Sequence, residues 1–434
     1  MIDLLKQIML DNQADDFPMG RPRLVNITPV PGKATVCIGP RRSGKSTYLF
    51  QRIGGLLERG VSRENILYLN FFDDRLNSLQ HEGLASVLDA YFSLYPQKKS
   101  AETVYCFFDE IQVVPGWEPF IDRLMRTEKC EVYITGSSAQ MLSREIATQM
   151  RGRALSWELF PLSFREFLSF HDQSTAGPLT TKRQLLTRQA FDKFFEAGGF
   201  PEVAGLSHQL RIKIHQEYWG AMLFRDLVER HDIAHPRAVA DLGHWLIDNS
   251  ASLYTVNRLT GHLRAIGHRV SKSSVADYLN WFEDALFLFT VRVFDASLTR
   301  AKVNPKKVYC IDHGLIASVS SGILVNSGHL LENLVFVALR RLTPDIHYYK
   351  SRAGRELDFV ATVHGERRLV QVCENLGNPA TRKRETAGLR DAMIELNLNA
   401  GIIVVRDAAT INEIEIDAGT IRVIPAWRFL LDLS

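Results

Sequence analysis

The run GPRRSGKS, residues 39–46, constrains this chain more than any other feature, because it follows the apolar stretch ATVCI and opens a helical pattern near Lys45. A glycine-rich turn between a buried strand and a helix leaves successive backbone N–H groups pointing into one small concavity. The helix N-terminus adds a field that favours an anion there. Gly39 and Gly44 permit the tight backbone path, Pro40, Arg41, Arg42 and Ser43 line it, and Thr47 helps to order it. Lys45 is placed to contact β- and γ-phosphates and Ser46 to hold magnesium. The expected ligands are ATP and Mg2+.

Such a run also arises by chance, so its surroundings decide. ATVCIGP, NILYLNFF, TVYCFFDE, CEVYITGS and ALSWELF alternate with amphipathic segments up to about residue 162, the rhythm of an α/β fold with a parallel sheet covered by helices. Strands that read as continuous apolar runs suit a sheet buried on both faces. The strand ending in Asp109-Glu110 supplies two carboxylates, Asp109 to hold the metal and Glu110 to polarise an attacking water. The next strand ends in Thr135-Gly136-Ser137-Ser138, where Thr135 or Ser137 could sense the γ-phosphate. A cation should offset the charge that develops during transfer; Arg153 leads the candidates, ahead of Arg151 and Arg225, because RGRA follows the helix after the sensor strand.

Length and composition bound the rest. With 434 residues the chain exceeds what one core usually serves, so roughly two or three domains are the starting expectation. A formal charge of +3 is too mild to announce a nucleic-acid binder, and any basic surface must be local. The five cysteines have neither zinc nor redox spacing and mostly fall in apolar runs, as reduced thiols in a cytoplasmic protein would. The N-terminal MIDLLKQIMLDNQADD carries acidic residues, unlike a secretion signal. The longest apolar stretch, residues 285–294, is too short to span a bilayer and contains Arg292.

GPRRSGKST, FFDEIQ, YITGSSA, GRALSWELFPLSFREFL and GGFPE together resemble the prokaryotic AAA+ ATPases that carry a C-terminal domain of unassigned function, and the resemblance covers nearly the whole chain. It implies a P-loop NTPase (AAA+/ASCE) core over residues 1–162, a helical lid over 163–235, a winged-helix segment over 236–298 and a restriction-endonuclease-like PD-(D/E)xK α/β tail over 299–434. The class also implies a homo-oligomer, a hexamer by default, since an arginine acting across a subunit boundary needs a neighbour.

The residues themselves bear on the last two segments. Val256, Leu259 and Leu263 share one helical face, as do Val275, Leu279 and Phe282, while Arg258, Arg264, Arg269 and Lys272 form a local basic cluster suited to DNA phosphates. In the tail, Glu332 on an opening helix and Asp358 on the second strand fall where metal-binding carboxylates of such nucleases lie. The third strand should add a Glu-x-Lys pair and instead reads Gln371-Val372-Cys373. Gln371 has no negative charge and Cys373 no cation, so the site is degenerate unless Glu374 or Lys350 takes over a role. The expected function is an ATP-hydrolysing motor coupled to DNA binding or remodelling in repair, recombination or defence. The alternative is a nucleotide switch acting on a protein partner, with a non-cleaving tail.

Overall fold

The computed structural model describes residues 1–25, 27–137, 150, 152–175, 177–297, 299–300, 304–323, 326–406 and 411–433; Ser138 and Arg151, named above, lie outside them. The chain divides into two units, Met1–Leu159 and Phe160–Ser434.

The first unit is built on the five runs that read as strands: β1 (Ala34–Ile38), β2 (Ile66–Asn70), β3 (Val104–Asp109), β4 (Cys130–Gly136) and β5 (Ala154–Glu158). All pair in parallel, in the order β2-β3-β4-β1-β5. Every residue of β1 is buried. Helices Ile2–Ala14, Lys45–Glu58, Ala85–Leu94 and Trp117–Thr127 accompany the sheet. Leu49 and Ile53, one turn apart on the second of these, are fully buried in a cluster with Cys37, Phe107 and Tyr133, and each such aliphatic side chain contributes about 1.5–3 kcal/mol. Phe107 and Tyr133 stack with ring centroids 4.7 Å apart. Because β4 lies between β1 and β3, the C-terminal ends at Ile38, Asp109 and Gly136 meet at one edge, where open α/β sheets bind their ligands.

The second unit begins with helices Phe164–Phe170, Thr181–Ala197 and His208–Ala221, the first closed by a capping box between Ser163 and Glu166. The third runs into a π-helix, Met222–Glu229, on which Arg225 is exposed. The GGFPE joint has a steric reason. Gly198 sits at φ +79°, and a Cβ there would lie 2.2 Å from the Asp312 carboxylate, which instead accepts the Gly199 N–H at 2.6 Å.

Helix Pro236–Asp248, β6 (Leu253–Tyr254), helices Val256–Ala265 and Lys272–Asp284, β7 (Leu288–Val293) and β8 (Lys306–Cys310) follow. After helices His313–Val319 and Ser327–Arg340 come β9 (Ile346–Lys350), β10 (Glu356–Val363), β11 (Glu366–Cys373), helix Pro379–Leu396, β12 (Ala400–Val405), β13 (Asn412–Ile416), β14 (Gly419–Pro425) and helix Ala426–Leu433. The strands join in the order β13-β14-β12-β11-β10-β9-β7-β8-β6.

The segments expected as lid, winged helix and tail therefore belong to one unit. Parallel pairing of β7 with β9 at Arg292↔His347 and Val293↔Tyr348 carries the sheet from one segment into the next. Tyr309 of β8 stacks on Phe336 of helix Ser327–Arg340 at 4.3 Å. No helix among the described residues is long and apolar enough to cross a membrane.

Candidate functional site

Residues 39–46 leave β1 and enter helix Lys45–Glu58 with the backbone path that the glycines foretold. Gly39 donates its N–H to Gly136 O at 3.2 Å, and a Cβ on it would lie 2.2 Å from Leu159 O. Gly44, at φ +94°, is the N-cap of the helix. Arg42 also has positive φ, at 66°, and is exposed, whereas Arg41 sits over the Phe72 ring at 5.2 Å. Ser43 Oγ is buried with no hydrogen-bond partner among the described residues, an orphaned donor in the loop itself. Lys45 is buried, and its Nζ donates to Gly39 O at 3.1 Å and Pro40 O at 3.2 Å while standing 3.2 Å from Glu110 Oε1. A buried ammonium, an orphaned hydroxyl and a helix N-terminus together fit a phosphate chain.

The carboxylates at the end of β3 are tied to β4 by one hydroxyl. Thr135 Oγ1 accepts the Glu110 N–H at 2.9 Å and donates to Asp109 Oδ1. Glu110 itself is in the left-handed region, φ +56°, which turns its side chain out of the strand direction towards Lys45. Burial acts to raise the Glu110 carboxyl, but Lys45, Gln112 and Arg41 outweigh it and hold it below the usual range. Burial raises Asp109, against bonds from Ser46 and Thr135 that stabilise its charge. Ser46 and Asp109 are thus hydrogen-bonded neighbours and present an all-oxygen pair, the donor type that magnesium prefers.

Three partners escaped the sequence reading. Gln112 Nε2 donates to Glu110 Oε2 at 2.6 Å and to Ser137 Oγ at 3.4 Å, which places Ser137 beside the carboxylate. Tyr68 OH donates to Asp109 Oδ2 at 3.2 Å. Arg23 Nη1 donates to Ser43 O at 2.5 Å, and its strap is held by Gln51, which bonds Met19 O, Arg21 O and the Arg23 N–H. Only Gln112 left a signal, since it lies within FFDEIQ.

Arg153 is placed differently from the others. It precedes β5, whose first residue pairs with Ala34, so it lies at the opposite end of the strands from the loop, ~16 Å away for five residues of strand. There its guanidinium stands 3.8 Å from Asp122.

In the second unit Arg258, Arg264, Arg269 and Lys272 are all exposed. Arg258 lies over the Trp245 ring at 5.8 Å and Arg264 donates to Val270 O at 3.0 Å. Leu259, Leu263, Val275, Leu279 and Phe282 are buried beneath them. Further on, Glu332 of helix Ser327–Arg340 and Asp358 of β10 do come together, and between them stands Lys307 of β8, 2.8 Å and 3.0 Å from their oxygens. Gln371 bonds Glu385 Oε2 at 2.8 Å, and Cys373 Sγ is engaged with Asn375 O at 3.4 Å. Lys350 is exposed at the end of β9, and Glu374 pairs with Arg406 at 3.3 Å, so neither enters this cluster.

The chain is similar to several known proteins. A family model described as an AAA domain matches residues 31–168, and one described as a domain of unknown function (DUF8612) matches residues 188–323. The uncharacterized protein MJ1544 of Methanocaldococcus jannaschii is 32% identical over 99% of this chain and 96% of its own. An uncharacterized protein of Haemophilus influenzae is 29% identical over 78% of this chain and 81% of its own. Among solved structures, the Aeropyrum pernix ORC1 protein in complex with DNA is 13% identical with a TM-score of 0.32, covering 67% of this chain and 87% of that one. C. elegans PCH-2 is 12% identical with a TM-score of 0.28, covering 51% and 60%. With the loop at the end of β1, the carboxylates at the end of β3 and β4 inserted between those strands, the chain belongs to the AAA+ ATPase family and shares one family with the archaeal protein it matches almost from end to end.

Proposed function

We propose that this protein hydrolyses ATP at the edge of its first sheet and couples that reaction to binding or remodelling DNA. The observation that carries the reading is the link from Lys45 through Glu110 and Thr135 to Asp109 and Ser46, which gathers a cation, a charged base and a metal-type donor pair around one phosphate loop. Residues 39–47 hold the nucleotide, with the loop N–H groups and Lys45 on its phosphates. Ser46 and Asp109 would hold Mg2+, which supplies charge neutralisation to the phosphates. Glu110, kept deprotonated by Lys45 and Gln112, orients and polarises a water. Thr135 positions both carboxylates, and Gln112, itself bonded to Ser137 Oγ, holds Glu110 from its far side. Since Arg153 lies away from its own loop, it serves a neighbouring subunit's site in a ring, hexameric by analogy with the class.

The exposed basic residues on helices Val256–Ala265 and Lys272–Asp284, with β6, β7 and β8 behind them, support a DNA-contacting winged helix. The order helix, three strands, helix, strand in residues 327–405 supports a nuclease-like tail. A cytoplasmic site of action suits the five free cysteines. The net charge of +3 favours the second reading, a nucleotide switch on a protein partner.

ATP turnover measured with and without single-stranded, duplex and four-way DNA across salt concentrations separates the two. Stimulation that declines steeply with salt is expected. No binding and no stimulation by any DNA leaves the switch. In parallel, Glu110→Gln should bind ATP and lose turnover by roughly 10²–10⁴-fold; unchanged turnover removes Glu110 from its role.

A further inference from the structure

Lys307 is an unusual residue to find in the middle of a sheet. It lies on β8 with Val291 of β7 opposite on one side and Leu253 of β6 on the other, and it is only 2% exposed. A buried ammonium is costly unless every N–H finds an acceptor. All three do: Nζ lies 2.8 Å from Glu332 Oε1, 2.7 Å from Glu356 Oε1 and 3.0 Å from Asp358 Oδ1.

The carboxylates are in turn held from behind. Tyr309, two residues on and on the same face of β8, donates to Glu332 Oε1 at 2.7 Å. Asp358 Oδ2 accepts the Val372 N–H at 3.0 Å, and Gln371 Oε1 accepts the Asp358 N–H at 3.3 Å. Helix Ser327–Arg340, β8, β10 and β11 therefore converge on one cation.

We propose that this cluster is a cation site filled in cis, with the Lys307 ammonium standing where a divalent ion would have to sit. Three carboxylates around one point are the arrangement that gathers magnesium or manganese, whose ligand oxygens need a shared free centre at about 2.0–2.2 Å. Here the centre is occupied by a nitrogen at hydrogen-bonding distance from each of them. The substitution of lysine for metal also accounts for the third strand. With a permanent cation supplied from β8, Gln371 and Cys373 are free to be neutral, and they are used for bonds to Glu385 and Asn375.

The alternative is that Lys307 is the lysine missing from position 373, poised to act on a water. Its geometry argues against that role, since no N–H remains for a water or a phosphate and the side chain is 3% exposed. The consequence is that the tail neither takes up a divalent ion nor cleaves DNA, and that the cluster fastens β8 to β10 and to helix Ser327–Arg340.

Mn2+ binding to the nucleotide-free full-length protein, followed by electron paramagnetic resonance, tests this together with melting temperatures in Mg2+ or Mn2+. Wild type should show no Mn2+ site, and no metal-dependent rise in its melting temperature, that Asp358→Asn removes. Lys307→Met should melt lower and recover when Mn2+ is added, because the carboxylates then have a free centre. Lys307→Arg should stay folded and indifferent to metal.

A wild-type Mn2+ site abolished by Asp358→Asn would overturn the proposal. So would cleavage of supercoiled plasmid that both Asp358→Asn and Lys307→Met abolish, which would make Lys307 the working lysine. If Lys307→Met does not fold, Mn2+ binding by wild type compared with Asp358→Asn still decides, and it does not depend on ATP turnover.

Discussion

Replacing Thr135 by valine tests the arrangement at the end of β3 most directly. Valine keeps the shape and volume of threonine, so no cavity forms and the loss is confined to the hydroxyl. That hydroxyl has two partners: it accepts the Glu110 N–H at 2.9 Å and donates to Asp109. Thr135 is fully buried and Glu110 is 7% exposed, so water cannot replace the first bond. An orphaned buried N–H costs about 1–3 kcal/mol, and the lost bond to a carboxyl about as much. Together they predict a destabilisation of the first unit by roughly 2–6 kcal/mol. Glu110 also holds a left-handed backbone, φ +56°, whose cost of about 1–2 kcal/mol is offset by this bond and by Lys45 and Gln112. Once the N–H is released, Glu110 relaxes out of that conformation and its carboxylate leaves its place beside Lys45. Urea unfolding gives the stability and steady-state ATP turnover gives the placement of Glu110. Thr135→Ser keeps the oxygen, loses one methyl and should stay within about 1 kcal/mol of wild type. Thr135→Val curves that superimpose on those of Thr135→Ser, with equal turnover, would refute the reasoning.

Arg23→Ala should weaken ADP binding about tenfold with little change in melting temperature, because the guanidinium on Ser43 O polarises the peptide whose N–H belongs to Gly44; calorimetric titration reads it, and equal affinity discards the effect. His313 is fully buried and held neutral, with burial depressing its titration and Asp312 and the Phe194 carbonyl only partly opposing this. A depressed folded value means that its stabilisation is present above the unfolded value of about 6.5 and is lost as pH falls through the folded one. Urea midpoints of the second unit should therefore decline below about pH 6.5, and less so in His313→Gln. Combined alanine substitution of Arg258, Arg269 and Lys272 should reduce the slope of log affinity for duplex DNA against log salt by about 1 for each phosphate contact removed; a slope that does not move would place DNA elsewhere.

What could be read from the sequence was what local pattern determines. β1, β2 and β3 are apolar runs nearly throughout, and GPRRSGKS and FFDEIQ each lie within a few residues, so the strands and the positions of the loop, Asp109 and Glu110 at their ends were legible before any fold was known. The helices bearing Leu259, Leu263, Val275 and Leu279 were legible from their 3.6-residue period. Lys307 was not. In the run NPKKVYC it looks like a charge at a strand edge, and only the approach of helix Ser327–Arg340 and β10 makes it the centre of a cluster. Arg23 and Tyr68 were hidden for the same reason, as each meets the site across a long stretch of chain. The expectation of separate segments over 163–235, 236–298 and 299–434 rested on changes of pattern, which do not reveal that β7 pairs with β9.

That pairing has a mechanical meaning. The ladder between β7 and β9 is short, Arg292↔His347 and Val293↔Tyr348 with Phe294 N–H on Tyr348 O, whereas β10 and β11 are zipped from Phe359↔Val370 to Val363↔Glu366. A load applied through helices Val256–Ala265 and Lys272–Asp284 and passed along the sheet must cross this short ladder. Lys307 and the Tyr309–Phe336 stack cross the same line as rivets made of charge and aromatic surface. The continuity of the second unit across that ladder is thus shared between two backbone pairs and side chains far apart in the sequence, with one buried ammonium joining β8 to β10 and to helix Ser327–Arg340.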